Sequence, residues 1–165
     1  MNQVERIEEA IVAGSDLHET NREDLHVTIR IARDFYDFLV KYGEFPNGEQ
    51  IDYMAGTIRS GIDEFYLLAY GCRSIVRDSE TWKFDPHEHW DFSTLREWFM
   101  RSFEHLADPD VSAADRLASL LALTHLELVF LARHFPSAIF AERASDSMTI
   151  DENLQAIKKM IGESQ

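Results

Sequence analysis

A chain of 165 residues with 45% hydrophobic and 12% aromatic content has enough apolar material for one domain with a real core, which excludes an intrinsically disordered chain. Its 30 acidic and 16 basic residues give a formal net charge of -14, which repels nucleic acid and anionic membrane surfaces and suits a basic protein partner. Cys72 is the single cysteine, so an intrachain disulfide and an intrachain thiolate metal cluster are both excluded, as expected in a reducing compartment.

The amino terminus, MNQVERIEEAIVAG, carries acids early and has no unbroken apolar run, unlike a signal or transit peptide. No stretch approaches the roughly 18 uncharged apolar residues of a membrane span. A cytoplasmic chain without membrane contact is the expectation.

Val4, Ile7 and Ile11 recur at helical spacing and predict a first helix over residues 2–13, ended by Gly14 and Ser15. Asn21 followed by Asp24 is an N-cap pattern for a second helix, which runs to about Tyr42 and stops at Gly43 and Pro46. On a helical wheel Val27, Ile31, Phe35, Phe38, Leu39 and Tyr42 share a wide apolar face. Glu23, Arg30, Asp34, Asp37 and Lys41 lie opposite, with Arg30–Asp34 and Asp37–Lys41 at ion-pair spacing.

A third helix is expected from about Gln50 to Arg77, with Ile51, Met54, Ile58, Ile62, Phe65, Leu68, Cys72 and Val76 as its buried stripe. Gly61 falls on that stripe and reads as a close helix crossing; Gly71 reads as a kink or an early end. Residues 79–90 form an aromatic connection holding Trp82, Phe84 and Trp90, with a capped turn at Asp85-Pro86. A fourth helix follows from about Ser93 to Leu106, with Leu95, Trp98, Phe99, Phe103 and Leu106 buried.

Ser112 and Asp115 form a capping pattern that opens the most apolar helix, which ends near Phe135 because Pro136 follows. From Leu117 to Phe135 that helix is greasy nearly all the way round, which a water-exposed chain tolerates only where other helices surround it. His125 sits at the centre of its most apolar side, with Arg116, Glu127 and His134 across the helix. A short helix at 138–143 and a last one opened by Thr149 and Glu152 complete the chain. The fold class is therefore all-α: one domain over residues 1–165, an irregular or orthogonal multi-helix bundle of about five main helices around a central buried helix at about 115–135.

Chemistry-bearing patterns are sparse. His125 reads as a hydrogen-bonded core histidine, with a ligand or cofactor contact or a catalytic base as the alternatives. His87 and His89 flank Glu88 and offer imidazole ligands for a metal, but the proline turn limits convergence and a third ligand must come from elsewhere. Glu23-Asp24-Leu25-His26 is the lone Glu-x-x-His, which argues against a carboxylate-bridged di-iron bundle. A nucleophile elbow, a phosphate loop and a clustered basic stripe are all missing.

The amino-terminal third instead gathers Glu5, Glu8, Glu9, Asp16, Glu19, Glu23 and Asp24 against two arginines, Arg6 and Arg22. Acids so placed suit an arginine-rich protein surface, or simply a solvated face beside helix N-termini. The functional expectation is a non-catalytic protein that binds another, basic protein as an inhibitor, immunity protein or adaptor, without a cofactor. The alternatives are a small-ligand or metal-binding enzyme or sensor at His125 or His87/His89, and a structural homo-oligomer built on the aromatic region 82–99.

Overall fold

The computed structural model describes residues 2–15, 17, 19–72 and 91–134, and every regular element among them is helical. In chain order these are α1 (Gln3–Ala13), a single 3-10 turn (Glu19–Asn21), α2 (Arg22–Lys41), α3 (Gly48–Arg59), α4 (Ile62–Gly71), α5 (Phe92–His105) and α6 (Ala113–His134). The all-α multi-helix bundle expected from periodicity is what the chain forms. The aromatic connection at 79–90, the end of the third expected helix with Val76, the helix at 138–143 and the last helix lie outside the described residues.

Local chemistry sets the helix ends. The Glu5 backbone N–H donates to Asn2 Oδ1 at 2.9 Å, so Asn2 caps α1. Asn47 and Gln50 form a reciprocal capping box at α3: the Gln50 N–H donates to Asn47 Oδ1 at 3.0 Å and the Asn47 N–H to Gln50 Oε1 at 2.9 Å. Asp91 caps α5 through the Thr94 N–H at 2.7 Å, and this bond holds its carboxyl below the usual range. Ser112 accepts from the Asp115 N–H at 3.2 Å at the start of α6, one half of the reciprocal box its pattern predicts. Asn21 departs from expectation: its side chain does not cap α2, and its Nδ2 donates to Asp24 Oδ2 at 3.3 Å instead.

α6 packs against each of the other five helices, and so does α2. From Arg116 to Leu128 every side chain except Ser119 is buried. That stretch carries Leu117, Leu120, Leu121, Leu123, Leu126 and Leu128, each contributing about 1.5–3 kcal/mol on burial. A central, enclosed helix is thus present where the apolar run predicts it. Rings join the layers around it: Phe35 of α2 meets Phe99 of α5 edge-on at 4.9 Å and lies 6.0 Å from Phe130 of α6.

Several expectations need correction. The third helix is not continuous, because α3 ends at Arg59 and α4 begins at Ile62. Ser60 and Gly61 make a tight turn in which the Gly61 N–H donates to the Ile58 carbonyl at 2.9 Å, an i to i−3 bond. Ile58 and Ile62 stay buried on either side, so the apolar stripe crosses the break unchanged. Gly61 is nonetheless a close crossing: a Cβ there would lie 2.9 Å from Val27 Cγ1 and 3.0 Å from Ile31 Cγ2 of α2.

The second correction concerns the side of α6 opposite His125. Arg116 and Glu127, which the wheel places outward, are both buried, because α6 has no outward side over this length. On α2 the buried face is likewise wider than the wheel gives, taking in Leu25, Thr28, Ile29 and Ala32. The ion pair there joins Arg33 to Asp37 at 3.0 Å rather than Arg30 to Asp34 or Asp37 to Lys41.

Candidate functional site

The acidic amino-terminal third becomes a surface through the pairing of α1 with α2. Gln3 meets Arg33 and Glu8 meets His26, so the two helices run antiparallel. Glu8 Oε2 lies 3.3 Å from His26 Nδ1 and is 18% exposed, which makes it part of the α1–α2 seam. Glu5, Glu9, Glu19 and Glu23 are exposed. Glu9, Glu19 and Glu23 make no ion pair or hydrogen bond among the described residues. Asp16 lies outside the described residues.

Asp24 behaves differently from these. It is half-buried and accepts from Asn21 Nδ2 at 3.3 Å. Burial pushes its carboxyl above the usual range, and the charges of Glu64 and Glu23 add to the push. Glu64, on α4, therefore belongs to this acidic group although it is distant in sequence. Its position at the edge of the α4 apolar stripe is the only signal that could have found it. The same group reaches Cys72: burial first, then the Asp24 charge, push the thiol up to about 12, so it stays protonated and a poor nucleophile.

His125 is 6% exposed, in the interior position that its apolar neighbours predict. Thr124 beside it is fully buried and donates to the Leu120 carbonyl at 2.9 Å. His87 and His89 lie outside the described residues. Among the described residues no three His, Cys, Asp or Glu side chains converge as metal ligands. None of the described helices is long and apolar enough to cross a membrane.

Two buried charged groups on α6 differ in how they are satisfied. Arg116 donates to the carbonyls of Leu106, Asp108 and Val111, the last two at 2.9 Å, and so fastens the α5–α6 connection to the core. Glu127 has no exposed surface, and neither carboxylate oxygen has a hydrogen-bond partner among the described residues. Desolvation first, then the neighbouring Asp34 charge, push its carboxyl well above the usual range. Sequence reasoning missed this group because it assigned Glu127 to the polar side of α6.

Asp34 leads to a groove of about 550 Å³ between α2 and α3. Asp34 and Asp37 line it with Phe38, Tyr42, Tyr53 and Met54. Lys41 also reaches the groove, where its Nζ stands 5.4 Å from the Tyr42 ring centroid. No family model, curated protein or solved structure matches this chain.

Proposed function

We propose that this chain is a non-catalytic, cytoplasmic protein-binding domain that offers exposed carboxylates to a basic partner, in the manner of an inhibitor, an immunity protein or an adaptor. The observation supporting this reading is the set Glu9, Glu19 and Glu23, which stand in solvent without ion pairs among the described residues, on a chain of net charge -14. Unpaired surface acids steer association with a positive partner and pay little desolvation until contact.

A pull-down from native lysate tests the reading, comparing the wild-type chain with a Glu9→Gln/Glu19→Gln/Glu23→Gln variant at low and high salt. The expected result is a basic protein retained by the wild type at low salt and lost both in high salt and in the variant. Equal capture by wild type and variant contradicts it.

A further inference from the structure

We propose that the groove between α2 and α3 binds a small organic amine, its ammonium group on Asp34 and its apolar body against Phe38, Met54 and the Tyr53 ring. This inference concerns a different face from the exposed carboxylates and does not rest on them.

The groove has the size of a small-molecule site, at about 550 Å³. Its walls combine carboxylates with tyrosine rings, the pairing that recognises ammonium groups by charge and by the negative ring face. The cations nearest in sequence do not meet the need of Asp34. Arg33 is engaged with Asp37 and Gln3, and Lys41 lies over Tyr42. Asp34 itself has no ion pair or hydrogen bond among the described residues. Burial first, with the Asp37 charge adding to it, leaves its carboxyl above the usual range despite the opposing charges of Arg30 and Arg33.

Glu127, on α6, is affected by the same carboxylate from within the core. α6 packs against both α2 and α3, the two helices that form the groove. From α6, Glu127 presents a fully buried carboxyl whose oxygens have no partner among the described residues. The charge that acts on it is that of Asp34, in the groove. A cation bound at Asp34 would offset the charge that acts on Glu127. A metal ion is the poorer occupant, since no three ligand-type side chains converge among the described residues.

The test is an amide chemical-shift titration with phenethylamine, using phenethyl alcohol as the neutral counterpart of the same shape. The amine is expected to move resonances in the second half of α2 and in α3, with the alcohol about tenfold weaker. Asp34→Asn is expected to weaken the amine by about tenfold while leaving the thermal midpoint at or above the wild-type value. Tyr53 is 75% exposed, so Tyr53→Ala keeps the fold and is expected to weaken the amine as well. Scattered or absent shifts, equal binding of the alcohol, or unchanged affinity in both variants overturns the proposal. So does calcium chloride that moves the same amides and displaces the amine, which would make the groove a metal site.

Discussion

At the scale of single residues, the helix interior holds one group that opposes folding. Glu127 is buried without a partner among the described residues, and its carboxyl is pushed up by desolvation and by Asp34. Below the ordinary carboxylate value of 4.5 the group is neutral in both folded and unfolded chains and contributes nothing to pH dependence. Above it the unfolded chain ionises freely and the folded chain does not. Stability therefore falls as pH rises from there through the folded value, then levels. Each unit of elevation costs about 1.4 kcal/mol at neutral pH. Glu127→Gln is expected to raise the thermal midpoint at neutral pH and to converge with the wild type near pH 4, as thermal melts across a pH series will show. A variant less stable than the wild type at neutral pH would mean that the carboxylate has a favourable partner. Arg116 shows the opposite treatment of a buried charge, since three backbone carbonyls receive its guanidinium. Neither residue's burial was legible in the sequence. A wheel presumes that a helix has a solvent side, but Glu127, about 200° round α6 from His125, turns into yet another neighbour. His125 was placed correctly because it lies amid leucines whichever side the packing covers.

At the scale of elements, periodicity carried most of the information. α1, α2, α5 and α6 run close to the expected bounds, because Gly14, Gly43, Asp91 and Ser112 are local punctuation whose effect needs no tertiary knowledge. The α3–α4 break was hidden. A stripe that keeps four-residue spacing from Ile58 to Ile62 looks the same across a tightened turn as along an unbroken helix. Gly61 marked the place, and its role is the contact with α2 that lets the chain turn there. Gly61→Ala sets a Cβ within 2.9 Å of Val27 and 3.0 Å of Ile31, inside normal contact distance. Overpacking of this kind costs about 1–3 kcal/mol, although alanine is the better helix former. Urea unfolding is expected to show that loss, and a stabilised variant would mean that α2 and α4 can move apart freely. The acidic group was legible only in part for a related reason: Glu23 and Asp24 are neighbours in sequence, whereas Glu64 joins them only once α4 has packed on α2.

At the scale of the whole molecule, two separate surfaces carry the functional reading. Among the described residues, a core of interlocked rings and leucines around α6 takes up most of the large apolar side chains, and most acids, Glu127 apart, lie at or near the surface. The composition already required that division. It did not reveal which acids stay unpaired or that α2 and α3 enclose a groove, because both depend on how side chains meet across helices. Glu8 is drawn into the α1–α2 seam with His26, and Asp24 is half-buried, so neither offers the free charge that Glu9, Glu19 and Glu23 offer. The most direct measurement is the affinity of the captured basic partner for the wild-type chain and for the Glu9→Gln/Glu19→Gln/Glu23→Gln variant, titrated from low to high salt. Recognition through exposed carboxylates predicts a wild-type affinity that falls steeply with salt and a variant that is weaker at low salt and nearly flat. Identical salt dependence in the two chains would contradict it.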